Sequence, residues 1–397
     1  MTRTTNRSVS ALGILIGLLS SVAIVLARGH RVAEPALAVT AATPSLSGRV
    51  VADDAGPLRE VVMHYVVELE PTFRATYHDF LTTLAPETRL LFVVRRQDRA
   101  RLEAFLAPLG LANPMRMVEV STPLGIWSKD RALVLSPNAA GAGVRTELVI
   151  PPRPRAAWEG SRPGDWDVVP ALAAAVPDEL NVRQVPIAFD AGDFAVTGDR
   201  IFFDVNLFAR NRARGFRSPA ELRERMKAVL GREVVMLGSE VGDVPRHHMS
   251  MYMALLAGGV ALVGDPAAGA RLVGDRFVAE QTSPETGRPL EADFSRVTIA
   301  RFDRAATDLA AAGLRVVRIP TVPFDDKTYF AYTNGVYETR AGRKTAWVPR
   351  FGVPAIDAAA RAVYEGLGWR VIPVAVQDVY AQHGTIGCLV NVLSRGE

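Results

Sequence analysis

Hydrophobic positions fall into short β-type runs alternating with amphipathic stretches from Arg59 to the C-terminus. Val61–Val67, Leu90–Val94 and Met117–Val120 are apolar and β-branched enough to predict strands. Asp98–Leu106 has helical spacing, with Asp98 as the expected N-cap and Pro108 just past the end. A second helix is predicted after Ser218, where Ser218, Pro219 and Glu221 make a capping-box start and Gly231 a stop. The same layout returns downstream. Val260–Val263 predicts a strand, Ala305–Ala312 a helix and Arg315–Ile319 a strand. Thr345–Val348 precedes a helix at Pro354–Leu367, and Val371–Val374 follows as a strand. Units of this kind have the size of a compact ββαβ element, and their recurrence predicts a repeated α/β architecture. No glycine-rich phosphate loop follows a strand, so the pattern does not indicate dinucleotide binding.

The N-terminus breaks this pattern. Arg3 and Arg7 precede an uncharged apolar run from Ser8 to Ala27. That layout predicts a signal peptide or an N-terminal membrane anchor over residues 1–38, with the body exported to the periplasm, secreted, or tethered to the membrane. Ala36-Leu37-Ala38 offers one small-residue cleavage site. Residues 39–56 lack periodicity and read as a linker, leaving 57–397 as the folded domain.

Composition narrows the function classes. Of the 397 residues, 49% are hydrophobic and 22% charged, an ordinary globular balance. The net charge of +4 comes from scattered Lys and Arg with no basic block interleaved with aromatics, which argues against nucleic-acid binding. A single cysteine excludes an internal disulfide.

That cysteine, Cys388, lies in His383-Gly384-Thr385-Ile386-Gly387-Cys388, where glycines permit a tight turn and close approach of a substrate. By its own context it is either a nucleophile or a small core residue. His247 and His248 adjoin in Arg246-His247-His248-Met249-Ser250. A histidine there can act as acid and base, or can sit half-exposed in a loop. The pair lacks metal-ligand spacing and no Cys/His cluster accompanies it, so no metal is expected. Asp130 follows Trp127-Ser128-Lys129, and Asp190 and Asp193 stand in Phe189-Asp190-Ala191-Gly192-Asp193. Carboxylates flanked by apolar residues need partners: an Arg or Lys of the chain, or a cationic substrate.

The order W-x-K-D, D-A-G-D, H-x-S-M, Y-x-N, P-x-F-G and G-x-x-x-C, from Trp127 to Cys388, resembles the agmatine deiminase and bacterial-type peptidylarginine deiminase families. The resemblance covers roughly Arg59 to Leu393, including Asn206–Arg212, Tyr332-Thr333-Asn334 and Pro349-Arg350-Phe351-Gly352. It implies a pentein fold, a five-bladed propeller of ββαβ units with pseudo-five-fold repeats. It implies a thiol-dependent deiminase or an amidinotransferase, working on a small guanidino or peptidyl-arginine-like substrate without a cofactor. By the same resemblance Cys388 is the nucleophile and His248 the acid/base, Asp190 orients His248, and Asp130 clamps the guanidinium. Trp127, Ser250, Asp193 and Asn334 join Asp130 in substrate binding.

Four departures stand out. Ser250 occupies the place of a second clamp carboxylate, Gly387 that of a histidine, Lys129 that of an arginine, and Asp190 that of a glutamate. Loss of a charged hydrogen bond weakens the hold on a cation by about 1.5–3 kcal/mol. A propeller with a decayed site, binding a ligand or partner protein, is therefore the competing reading.

Overall fold

The computed structural model describes residues 48–136, 145–153, 166–198 and 200–396. Five of its sheets share one pattern: an antiparallel pair, then a parallel neighbour reached through a helix or a longer crossover. Ala195–Thr197 pairs antiparallel with Arg200–Asp204, which runs parallel to Glu233–Leu237. Met253–Leu256, Val260–Asp265 and Arg315–Pro320 repeat that arrangement, as do Val336–Arg340, Arg343–Arg350 and Arg370–Ala375. Leu133–Ser136, Thr146–Ile150 and Leu180–Gln184 follow it too. In the remaining sheet the last strand, Asn391–Arg395, supplies the antiparallel partner of Leu58–Tyr65, and Arg89–Arg95 and Met115–Val120 continue it in parallel. The two ends of the domain are thus joined by backbone hydrogen bonds.

Local chemistry explains the helices between these strands. In Pro219–Leu230 the Ser218 hydroxyl accepts the Glu221 N–H at 3.1 Å, and Gly231 ends the helix at φ 62°. A left-handed residue there suits glycine because it has no Cβ to clash. The helix predicted to begin at Ala305 spans Arg296–Ala311 instead, with Ser295 accepting the Thr298 N–H. Asp98 does not cap its helix: a 3-10 turn at Arg96–Asp98 precedes Arg99–Leu106, and the Asp98 carboxylate takes Arg95 at 2.5 Å.

The expected linker over 39–56 is also corrected in its described part. Arg49–Val50 pairs with Leu133–Ser136 as an edge strand. Asp53 accepts Lys129 Nζ at 3.0 Å and the Val196 N–H at 2.9 Å. Two strand residues are too few to leave a period in the sequence. The leader expected over residues 1–38 lies outside the described residues, among which no helix is long and apolar enough to cross a membrane.

Candidate active site

Four short, irregular segments converge on one cavity of about 550 Å³. Each presents a side chain from a tight turn rather than from a regular strand. Asp130 belongs to the 3-10 turn Ser128–Arg131. That turn is fixed by Ser128, whose hydroxyl lies 2.7 Å from the Leu389 carbonyl and 3.0 Å from the Val62 carbonyl. Leu389 closes the short helix Ile386–Leu389 that carries Cys388, so one serine ties the Asp130 turn to the cysteine helix. Asp190 caps the turn Ala191–Asp193 in a reciprocal arrangement with Asp193. His248 precedes the turn Met249–Met251.

His248 is the hub. Its Nδ1 lies 3.6 Å from Asp130 Oδ1, and its Nε2 lies 3.7 Å from Asp190 Oδ2. These are ion-pair separations, longer than hydrogen bonds. The ring also contacts the Cys388 thiol. Burial alone would push its pKa down. Asp130, Asp190 and Cys388 outweigh burial and hold His248 well above the ordinary histidine range, so it is an imidazolium at neutral pH. Gly192 makes this packing feasible, since a Cβ at that position would stand 2.6 Å from the His248 ring.

Asp190 is more heavily engaged than its sequence context suggested. Arg131 meets one of its oxygens at 3.0 Å and Arg210 meets the other at 2.9 Å. Burial would raise the Asp190 carboxyl, but His248, Arg210 and Arg131 hold it well below the usual carboxylate range. Arg210 also pairs with Asp193, which accepts the Asp190 N–H at 2.7 Å. Both aspartates of the D-A-G-D segment are thus neutralised within the protein. Arg131 and Arg210 belong to segments the motif order singled out, but spacing alone gave no sign that they point inward.

Cys388 is 2% exposed and lines the cavity with Trp127, Asp130, Asp190, Asp193 and His248. Two expected substrate contacts do not reach that cavity. Asn334 is fully buried, and its Nδ2 donates to Cys388 Sγ at 3.0 Å and to Met251 Sδ at 2.8 Å. Its place is behind the nucleophile. Asn334 also explains Gly387, because a Cβ there would collide with the Asn334 carboxamide and the Gly335 carbonyl. Ser250 lines a separate small cavity with Asp53, Lys129 and Gly387. In a turn of three residues per revolution, positions two apart face different ways, so Ser250 diverges from His248.

Three further groups complete the cavity. Asp204 accepts the Tyr252 hydroxyl and the Asn206 N–H, both at 2.8 Å, and burial pushes its carboxyl up to about 7. His247 stacks on His248, with ring centroids 4.3 Å apart and planes at 17°. His383, at the approach to Cys388, holds Glu285 at 2.7 Å. Among the described residues no group of three or more His, Cys, Asp or Glu is arranged to hold a metal ion.

No family model and no curated protein matches this chain. Solved structures do match it in fold. The C. jejuni agmatine deiminase superposes with a TM-score of 0.61 at 12% identity, over 88% of this chain and 96% of that one. The chain has the agmatine deiminase fold. The agmatine deiminase of Enterococcus faecalis gives a TM-score of 0.60 at 14% identity, over 87% and 95% of the two chains. The two comparisons thus give an α/β fold shared over almost the whole described body, at an identity low enough that only the fold is shared.

Proposed function

We propose that this chain is a thiol enzyme that modifies an amidino or guanidino group, with its five ββαβ units closed as a pseudo-five-fold propeller around the cavity. Cys388 Sγ attacks the amidino carbon and forms a C–S bond. The C–N bond to the departing nitrogen breaks, and the proton on His248 leaves with the amine or ammonia. His248, now neutral, takes a proton from water as the water attacks the S-alkyl amidine. The C–S bond then breaks, releasing a ureido or amide product and restoring the thiolate beside the imidazolium. An amine in place of water makes the same intermediate a route to transfer. Asp130 and Asp190 stabilise the protonated His248, and Asp130 faces the cavity where an amidinium would lie.

The observation that carries this reading is the meeting of Cys388, His248, Asp130 and Asp190 at one cavity from segments up to 258 residues apart (Cys388 against Asp130). A cation beside the sulfur is what a thiolate nucleophile requires. The test is a product screen on the full chain with agmatine, arginine, peptidyl-arginine and small amidines, reading ammonia and ureido products. Turnover of at least one compound that vanishes in Cys388→Ala supports it. Binding of these compounds without turnover favours a non-catalytic ligand-binding module, the reading to which neutral Ser250, turned into a separate small cavity, points.

The leader supports a further proposal, that residues 1–38 carry the body out of the cytoplasm. Residues 1–45 fused to a reporter active only outside the cytoplasm should give signal. A silent, well-expressed fusion would reject export.

A further inference from the structure

His247 holds a conformation that needs explaining. Its φ is +80°, in the left-handed region, and among the described residues only Ala341 and His383 share that region without being glycine. A side chain kept there against strain at a site of chemistry points to a role for that side chain.

The ring geometry says what the role is. His247 Nε2 lies 2.7 Å from the His383 carbonyl. A carbonyl only accepts, so Nε2 carries the hydrogen. Burial and the neighbouring His248 hold the His247 pKa well below its ordinary value, so the ring is neutral. A neutral imidazole with its hydrogen on Nε2 presents a lone pair at Nδ1. That Nδ1 has no protein partner among the described residues, and His247 lines the cavity.

An amidino group presents several N–H donors that must find acceptors once bound. Asp130 is one. Asp190 and Asp193 are occupied by Arg131 and Arg210, and Asp204 by Tyr252 and Asn206. Ser250 faces another cavity. We propose that His247 Nδ1 accepts an N–H of the bound amidino group, supplying a neutral acceptor in the cavity it lines with Asp130. This inference rests on the reading of the cavity as an amidine-modifying site. It makes the clamp one anion and one neutral ring.

The test compares rates of Cys388 alkylation by 2-chloroacetamidine, which carries the amidino group, and by iodoacetamide, which does not. Their ratio cancels changes in intrinsic thiol reactivity. His247→Gly suits the positive φ and removes the acceptor, and it should lower the ratio roughly tenfold, the effect of one lost hydrogen bond. His247→Asn tolerates the same backbone and offers a carbonyl acceptor, so it should keep the ratio within about threefold of wild type. A Gly variant with the wild-type ratio, or an Asn variant as impaired as Gly, overturns the inference. A wild-type protein that resists chloroacetamidine altogether overturns the amidine-site reading itself, and the inference with it.

Discussion

Gly192→Ala is a direct probe of how tightly the acid/base is held. The backbone at Gly192 lies outside the left-handed region, so alanine meets no conformational barrier there. The difficulty is spatial. The new Cβ would stand 2.6 Å from both Cγ and Nδ1 of His248, where ordinary contact begins at 3.4 Å. The ring must therefore retreat by about 0.8 Å, or the Asp190 turn must move by as much. His248 sits between Asp130 at 3.6 Å and Asp190 at 3.7 Å, so a shift of that size changes its position relative to one or both carboxylates and to Cys388. Misplacing a catalytic group by about 1 Å costs on the order of 100-fold in rate, or about 2.7 kcal/mol of barrier. Overpacking a filled site should also cost about 1–3 kcal/mol of stability. Alkylation of Cys388 by 2-chloroacetamidine, followed by intact mass in the folded protein, measures the first. Urea unfolding measures the second. A Gly192→Ala protein that alkylates at the wild-type rate would refute the view that His248 is positioned by this packing.

Other perturbations follow from the charges around the cavity. Asp204 has a folded pKa of about 7 against an ordinary value of 3.8, so the folded state holds its proton more tightly than the unfolded chain. Its contribution is present in full below about 4 and is lost as pH rises through about 7, a swing on the order of 4 kcal/mol. Asp204→Asn should flatten that part of the stability profile in urea titrations between pH 4 and 8, and parallel profiles would contradict the assignment. Ser250→Asp places a carboxylate in the cavity shared with Asp53 and Lys129, away from the face of Cys388 that meets the larger cavity. It should leave the chloroacetamidine-to-iodoacetamide ratio within about twofold of wild type, whereas a gain equal to a restored charged hydrogen bond would show that Ser250 reaches the substrate.

Much of this fold was legible because its elements are built locally. The predicted cores Leu90–Val94 and Val260–Val263 lie inside Arg89–Arg95 and Val260–Asp265. Apolar, β-branched runs declare themselves wherever both faces of a strand are covered. Element ends were less legible. Asp98 looked like a cap, but a side chain three residues from an arginine can be claimed by that arginine first. Within the site, the motifs led to Cys388, His248, Asp130 and Asp190 through their order along the chain, since no single local context was specific. The parts played by Arg131, Arg210 and His247 were not legible because they depend on which way a turn points. An arginine pairing with an aspartate 59 positions away, or a histidine forced to φ +80°, leaves no periodic trace. Ser250 was misread for the related reason that two residues in one motif need not face one cavity.

The central claim is that Cys388 is a nucleophile poised beside a protonated His248 in an amidine-binding cavity. Native full-length protein treated with 2-chloroacetamidine near neutral pH, then analysed by intact mass and peptide mapping, tests it most directly. Because the chain has one cysteine, a single adduct identifies the site. One adduct should form on Cys388 in the folded protein, slowed by competing small amidines. The rate should fall roughly 100-fold in His248→Ala, which removes the imidazolium beside the sulfur. A folded protein that stays unmodified while the urea-unfolded chain reacts would contradict it, leaving Cys388 as a core residue.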